Sequence, residues 1–265
     1  MSRRVHGGLN DSTNSTKESR IPMRIYVDTD ALAAASAGMI FTLPDAQAHH
    51  VGRVMRRRVG DAVRLFDGRG HEFEGVLSVV DRKCVSVTLG EPVAVTPESP
   101  LSVHLGQAIS KGDRMDIAIQ KSVELGVTEI TPLYTERGDV RLKGEREERK
   151  WQHWLAVAAS ACEQCGRATL PIIHAPMALS SWLEQRNEPM KLMLQPGRSA
   201  LEDHEHNPGR AALLIGPEGG FTADEIDQAA AQHFEILSLG PRILRTETAP
   251  IAAMTLLQYR YGDLR

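Results

Sequence analysis

Hydrophobic and polar positions divide the chain into two parts with different periods. From residue 24 to about 92, apolar and polar positions alternate in short runs such as Asp61–Phe66, Glu72–Leu77 and Cys84–Leu89, which predicts β-strands. The turn Asp67-Gly68-Arg69-Gly70 joins two of these runs, because glycine tolerates positive φ. A helical period near 45–58 is the exception. We therefore predict a small β-barrel for this part of the chain.

From residue 101 onward, apolar strands alternate with helices. The pattern predicts strands at 101–110, 129–135, 171–174, 190–195, 211–216 and 234–239, and helices at 113–126, 145–166, 178–186, 222–233 and 247–262. This alternation is typical of an α/β fold whose parallel sheet is covered by helices on both faces.

Changes in composition along the chain indicate where the domains begin and end. Residues 1–21 are polar and lack periodicity, so we expect a disordered tail, and the sequence leaves open whether Met1 or Met23 is the natural start. The barrel would occupy 22–92, a Pro-rich linker 93–100, and the α/β domain 101–265.

Charge and cysteine content narrow the class of protein. The 265 residues carry a formal net charge of −3, which excludes a globally basic nucleic-acid binder but leaves room for a local basic patch. No apolar run is long enough to span a membrane, and the first residues lack the apolar stretch of a secretory signal. Three cysteines do not make a disulfide framework, so we expect a reduced, cytoplasmic protein.

The first candidate for chemistry is the segment Leu213–Glu225. An apolar strand ends in Gly216-Pro217-Glu218-Gly219-Gly220, and Thr222 with Glu225 forms a capping box for the next helix. Ligands of open α/β sheets bind at the carboxyl ends of strands, and glycines let them approach the backbone. The alternative is a tight turn without a ligand. The segment matches neither a P-loop nor a dinucleotide fingerprint.

The second candidate is the segment Leu237–Pro250. Here a strand ends in Gly240-Pro241, and the loop then carries Arg245 and Glu247 before an apolar helix. The alternative for these two charges is a surface ion pair. The helix is apolar nearly all round, which indicates burial in the domain or in a subunit interface.

These two segments, IGPEGGFTADEI and LSLGPRILRTETAPIAAM, resemble the SPOUT methyltransferases. Within that superfamily they resemble the RsmE family, which methylates N3 of a uridine in 16S ribosomal RNA. His49–Arg56 with Gly60-Asp61 resembles the PUA-like barrel of that family, and Lys121–Val127 and Glu163–Arg167 also fit. The resemblance covers about 23–262.

The resemblance implies a deep trefoil knot over about 190–262, a homodimer with each site at the subunit interface, and S-adenosylmethionine as cofactor. The residues that it implies around the cofactor are Leu194, Gln195, Gly216, Pro217, Glu218, Gly219, Leu239, Gly240, Ile243, Leu244, Thr248 and Ala249. A sulfonium methyl donor is already activated, so we expect no metal.

The chemistry of uracil points to specific side chains. Its N3 carries a proton, so methylation needs a positioned carboxylate to accept that proton, and the nearby candidates are Glu218 and Glu247. A cation can stabilise the negative charge that develops on the ring oxygens. Arg245 is best placed by sequence, and Arg167 is the second choice.

RNA capture is expected mainly on the barrel. The candidate phosphate ligands are Arg53, Arg56, Arg57, Arg58, Arg64, Arg69 and Arg167. The alternative for the arginine cluster is a solvated helix face. The expected partner is 16S ribosomal RNA or the assembled small subunit. Two other functions stay open, namely a SPOUT enzyme that acts on tRNA or a ribose 2′-hydroxyl, and a non-catalytic RNA-binding knot protein.

Overall fold

The computed structural model of the protein describes residues 22–82, 84–196 and 206–264. The tail predicted over 1–21 lies outside these residues. None of the helices in the described ranges combines the length and apolar character that crossing a bilayer would need.

The N-terminal part folds as one five-stranded sheet. Its strands are β1 (Met23–Tyr26), β2 (Ile40–Thr42), β3 (Ala62–Phe66), β4 (Glu72–Val80) and β5 (Val85–Pro92), in the order β1-β3-β4-β5-β2. Strand β1 pairs with β3 in parallel, and the other pairs are antiparallel. Alternate residues of these strands, including Ile25, Val63 and Leu77, face a separate hydrophobic core.

The helix predicted near 45–58 is shorter than the pattern indicated. Helix α1 (Asp45–His49) continues into one π-helical turn over His50–Val54. The helix stops there because Arg56 takes a left-handed backbone conformation with φ 52°. The pattern also missed the short strand β2 and a 3₁₀ turn over Asp30–Ala34, which are too short to establish a period.

The C-terminal part is an α/β unit built on a fully parallel sheet, as the alternation predicted. Its strands run in the order β12-β10-β11-β6-β7-β8, and the short strand β9 also pairs with β7. The strands are β6 (Ser102–Ala108), β7 (Glu129–Tyr134), β8 (Ile172–Ile173), β9 (Met177–Ala178), β10 (Met190–Leu194), β11 (Arg210–Ile215) and β12 (Glu235–Leu237). The helices are α2 (Arg114–Glu124), α3 (Glu145–Cys165), α4 (Leu179–Glu184), α5 (Ala223–Ala231) and α6 (Thr248–Tyr261).

Helices pack on both faces of this sheet. One hydrophobic core joins the strands to α2, α3 and α6 through residues such as Ile119, Trp154 and Leu257, and a second joins them to α4 and α5 through Trp182 and Ala229. Burying these side chains is the main force that holds the helices on the sheet.

The two parts are joined by a buried charge network at the end of α3. Arg24 on β1 forms an ion pair of 2.8 Å with Glu72, and its guanidinium also donates to the backbone carbonyls of Cys162 and Arg167. The carbonyl of Cys162 lies in the last turn of α3 and also accepts from the N–H of Gly166, whereas Arg167 follows the end of the helix. Arg24 therefore links a strand of one domain to the end of a helix in the other.

The segment predicted as a linker is also anchored to the α/β unit. Within it, Glu98 pairs with Arg167 at 2.7 Å, and the hydroxyl of Ser99 donates to the side chain of Gln258 at 2.6 Å. Residues 93–101 form no helix or strand, so their side chains rather than a backbone ladder hold them in place.

Candidate active site

A cavity of about 1060 Å³ lies at the carboxyl ends of the parallel strands. The loops that follow β10, β11 and β12 form its walls, which is where open α/β sheets bind ligands. The cavity is lined by all the cofactor residues implied by the resemblance except Thr248, namely Leu194, Gln195, Gly216, Pro217, Glu218, Gly219, Leu239, Gly240, Ile243, Leu244 and Ala249. Thr248 is the first residue of α6, next to the lining residues Glu247 and Ala249.

The loop after β11 is fixed by its glycines and by the helix that follows. Thr222 accepts a hydrogen bond from the backbone N–H of Glu225, and the Glu225 carboxylate accepts one from the N–H of Thr222, so the predicted capping box is present. A Cβ on Gly216 would stand only 2.9 Å from the Phe221 ring. This position therefore favours glycine, which leaves the backbone at the cavity wall uncovered.

The loop after β7 forms hydrogen bonds that hold the same glycine loop in place. The Glu225 carboxylate accepts a second hydrogen bond, of 2.8 Å, from the backbone N–H of Glu136. Arg137 donates to the carbonyls of Gly219 and Phe221 at 3.2 and 3.1 Å. Backbone groups that face the cavity are thus held before any ligand arrives.

The side chain of Thr246 connects the ends of three strands through hydrogen bonds at the cavity wall. Its buried hydroxyl donates to the carbonyl of Gly216 at 3.1 Å and accepts from Nε2 of Gln107 at 3.2 Å. The hydroxyl of Ser110 lies 3.2 Å away. Gln107 lies on β6 and Ser110 lies just after it. These hydrogen bonds therefore connect the loop after β12 to the ends of both β6 and β11.

Three charged side chains, each from the segment that follows a different strand, meet at the cavity wall. Nη1 of Arg114 donates to Oε1 of Glu218 at 2.6 Å, and Nε of Arg114 lies 4.0 Å from Oε2 of Glu247. That Glu247 oxygen is buried and has no hydrogen-bond partner among the residues that the structure describes. Glu218 is therefore engaged by a cation, whereas Glu247 keeps a free acceptor.

Arg245 lines the cavity but stays exposed to solvent. Within the described ranges its side chain forms no ion pair with Glu247, so the alternative of a surface ion pair between these two residues was wrong. The cation that does approach Glu247 is Arg114.

Sequence reasoning missed Arg114 and Arg137, together with the supporting pair Gln107 and Ser110. The sequence did contain a signal for Arg114. The segment Ser110-Lys111-Gly112-Asp113-Arg114 follows the end of an apolar strand, in the same way as the glycine loop follows its own strand. In the sheet β6 is the neighbour of β11, so their carboxyl-end loops are adjacent.

The arginines predicted to bind RNA divide into free and paired groups. Arg53, Arg56 and Arg58 are exposed on and just after the short helix, and Arg57 is half-buried. Arg64 lies 3.5 Å from Glu74 and Arg69 lies 2.9 Å from Asp28, so both of these cations already have acidic partners.

The side chain of Arg167 is engaged at the end of α2. Besides its ion pair with Glu98, it donates to the carbonyls of Val123 and Val127 at 2.9 and 3.0 Å, at the end of α2. These hydrogen bonds hold Arg167 against the end of α2, and Arg167 does not line the cavity.

One cluster in the described part of the chain has metal-ligand residue types. Ligand atoms of His104, Glu129 and His174 lie within 4.8 Å of one another. The two imidazole rings are stacked with an interplanar angle of 14°, so their in-plane lone pairs do not converge, and Arg186 donates to Nδ1 of His104. Burial, and then the Arg186 charge, lower the pKa of His104 to about 3. The arrangement suits a neutral, hydrogen-bonded imidazole better than a metal ligand.

Comparison with known protein families gives the class of the chain. A family model described as an RNA methyltransferase domain matches residues 97–258, and one described as an RNA methyltransferase PUA domain matches residues 43–89. Together with the parallel sheet and its cavity, these matches define an RNA methyltransferase.

Curated relatives make the assignment more specific. The ribosomal RNA small subunit methyltransferase E of Buchnera aphidicola (from Acyrthosiphon pisum) is 34% identical over 256 residues, which cover 96% of this chain and 99% of the relative. The protein of the same name from Bacillus subtilis is 30% identical over 235 residues, which cover 85% and 92%. The chain belongs to the ribosomal RNA small subunit methyltransferase E family.

Solved structures agree with this assignment. A protein of Legionella pneumophila described as a methyltransferase, solved with its cofactor S-adenosylmethionine, is 42% identical with a TM-score of 0.88 over 92% of this chain and all (100%) of that one. The ribosomal RNA small subunit methyltransferase E of Neisseria gonorrhoeae, bound to S-adenosylmethionine, is 37% identical with a TM-score of 0.84 over 92% of this chain and 100% of that one.

Proposed function

We propose that the protein transfers a methyl group from S-adenosylmethionine to N3 of a uridine in the 16S RNA of the small ribosomal subunit, in the cytoplasm. The observation that carries the proposal is the cavity at the strand ends, where Arg114, Glu218 and Glu247 meet beside the backbone of Gly216. Family membership supports the methylation of small-subunit ribosomal RNA. The chemistry of the charged residues supports N3 of uracil as the acceptor atom.

The cavity suits S-adenosylmethionine in size and character. Its volume, about 1060 Å³, lies slightly above the range typical of small-molecule sites, and its walls combine apolar side chains with open backbone groups. Leu194, Leu239 and Leu244 would contact the cofactor through apolar atoms, and the backbone of Gly216 and Gly219 would approach it closely. When bound, the cofactor supplies an activated methyl group on a sulfonium centre.

The protein's own residues must remove the N3 proton and align the base. As the N3 proton passes to a carboxylate, the electron pair of N3 forms the new bond to the methyl carbon, and the electrons of the old carbon–sulfur bond stay on sulfur. The geometry favours Glu247 over Glu218 as the acceptor, because Glu218 is bound to Arg114 and Oε2 of Glu247 is not hydrogen-bonded in the described structure. Arg245, exposed at the cavity, would stabilise charge on a ring oxygen.

The N-terminal sheet would capture the RNA. Its match to a PUA domain supports a barrel-like RNA-binding module, with the exposed Arg53, Arg56 and Arg58 as phosphate ligands and Arg57 beside them. Arg64 and Arg69 would contribute less, because each would have to leave an acidic partner.

A trefoil knot over 190–262 is part of the proposal. Strand β12 lies at the sheet edge, outside β10 and β11, yet Thr246, nine residues after its end, contacts Gln107 on β6. The intervening loop must therefore cross the ends of β10 and β11, and it lines the cavity as it does so. Such a crossing supports the threaded topology implied by the resemblance.

A homodimer is also part of the proposal. Ile243 in the cavity loop is 92% exposed, the highest value among the large apolar side chains of the described residues, and Tyr259 on α6 is 65% exposed. A second copy of the chain would cover them and bring its own loops close to the cavity.

The function is tested by mapping methyl groups in ribosomal RNA from a strain that lacks this gene. We expect one N3-methyluridine to disappear from 16S RNA and to return when the gene is restored. Loss of a tRNA or ribose methyl group instead would favour another SPOUT activity. An unchanged set of methyl groups would favour a non-catalytic RNA-binding protein.

A further inference from the structure

The side chain of Arg114 forms an ion pair with the side chain of Glu218. The 2.6 Å contact uses Nη1 of the guanidinium, and it joins the start of α2, after β6, to the loop after β11. Because these strands are neighbours in the sheet, the ion pair joins two rigid strand ends. Arg114 begins helix α2, which further restricts its backbone.

This contact leaves two nitrogen atoms of the Arg114 guanidinium available as donors to a ligand. Within the described part of the protein, Nε and Nη2 of Arg114 have no hydrogen-bond partner, although Nε lies 4.0 Å from the buried Oε2 of Glu247. The cavity wall thus carries a hydrogen-bond donor directly beside a hydrogen-bond acceptor.

The Watson–Crick edge of uracil has the complementary pattern. Its N3–H is a donor, and the carbonyl oxygens on either side are acceptors, whereas cytosine offers an unprotonated N3 beside an amino group. A carboxylate at N3–H matches uracil but would face the N3 lone pair of cytosine, and an N–H donor at O4 would meet the amino group of cytosine.

We propose that Arg114 and Glu247 together recognise the uracil edge, with Arg114 donating to a ring oxygen beside N3 and Glu247 facing the N3 proton. Glu218 is a positioning residue that acts through Arg114. This assignment rests on the proposed function and adds to it the group that selects uracil. It also explains why two carboxylates line one site, since only one of them faces the base.

The donation from Arg114 also contributes to the rate. Negative charge moves onto the ring oxygens as the N3 proton leaves, so a hydrogen bond from a cation strengthens in the transition state. Its removal should lower the rate at saturating RNA more than it weakens the binding of either ligand.

The test is single-turnover methyl transfer to small-subunit RNA from cells that lack the enzyme, together with calorimetric titration of S-adenosylmethionine. For Arg114→Ala we expect the saturated rate to fall about 100-fold with cofactor affinity nearly unchanged. Arg114→Lys should recover part of that loss, since it keeps the charge and a donor. The control Arg149→Ala, an exposed arginine on α3, should match the wild-type protein.

The role of Glu218 is tested by a double-mutant cycle. Glu218→Gln should slow the reaction less than Arg114→Ala, and the double variant should be no slower than Arg114→Ala alone. Losses that multiply in the double variant would contradict the positioning role. A saturated rate for Arg114→Ala within about threefold of wild type, or a loss confined to cofactor affinity, would overturn the assignment while wild-type activity still supports the proposed function.

Discussion

Arg114 and Glu218 form an ion pair of 2.6 Å across two neighbouring strand ends. This contact separates the roles of the two carboxylates at the cavity. Glu218 is occupied by a cation, and Glu247 presents a buried oxygen that lacks a hydrogen-bond partner in the described structure. In our proposal Glu247 accepts the N3 proton, whereas Glu218 acts only through Arg114.

Replacing Glu247 with Gln should abolish most of the methyl transfer. The amide keeps the shape of the side chain but cannot accept the N3 proton, so we expect a loss of roughly 100-fold to 10,000-fold in the single-turnover rate. The matched control is Glu184→Gln, an exposed carboxylate on α4, which should leave the rate unchanged. A fully active Glu247→Gln variant would show that this carboxylate is not the proton acceptor.

Replacing Thr246 with Val should loosen the cavity loop. The change removes the hydroxyl that joins Gln107 and Gly216, and leaves buried polar groups unpaired, which costs about 1–3 kcal/mol of unfolding free energy. Cofactor affinity should fall as well, because the loop lines the cavity. Thr96→Val, at an exposed position in the segment before the α/β unit, is the control and should change stability by about 0.5 kcal/mol or less. Equal losses of unfolding free energy in the two variants would show that the Thr246 hydroxyl does not hold the loop in place.

Removing two exposed arginines from the N-terminal sheet should weaken RNA binding. We choose Arg56→Asn with Arg58→Ala, because asparagine tolerates the positive φ of position 56. RNA affinity should fall, and the dependence of log Kd on log salt should become shallower by about two units, while cofactor affinity stays the same. Arg146→Ala with Arg149→Ala removes the same charge from α3 and serves as the control. An unchanged salt slope would place the RNA on another surface.

The buried His104 should make stability depend on pH. Its pKa is about 3 in the folded protein because of burial and the nearby Arg186, and about 6.5 when unfolded. Between these values the unfolded chain binds a proton that the folded protein does not, so stability falls as the pH decreases from 6.5 towards 3.

His104→Gln should reduce this dependence by up to about 1.4 kcal/mol per pH unit, because glutamine does not titrate. Glu129, His174 and Glu188 face the same cluster and are retained in both proteins, so the difference between them isolates His104. Denaturant unfolding at pH 5, 6 and 7 measures it. Parallel pH profiles for the two proteins would show that His104 is not the titrating group.

Local rules predicted most of the elements that position the site. The apolar strand before Gly216 and the capping box of Thr222 with Glu225 identified both the loop and the start of α5. The Pro250 position was also predictable, since it falls in the first turn of α6, where its missing N–H costs little. These features depend on residues close together in the sequence.

Contacts between distant residues could not be predicted in the same way. The pairing of Arg114 with Glu218 depends on strand order, which places β6 beside β11 although β7 to β10 lie between them in the chain. Likewise, the hydrogen bonds of Arg167 to the carbonyls at the end of α2 join residues about 40 positions apart in the sequence. The path of the loop before Thr246 is also a property of topology, on which hydrophobic periodicity carries no information.

The central claim is tested most directly by incubating the purified protein with S-adenosylmethionine carrying an isotope-labelled methyl group and small-subunit ribosomal RNA from cells that lack the enzyme. Digestion of the RNA and mass spectrometry then identify the labelled nucleoside. Our account predicts labelled N3-methyluridine at a single position, formed by the wild-type protein and nearly absent with Glu247→Gln. Label on a ribose, on another base, or on no nucleoside at all would contradict it.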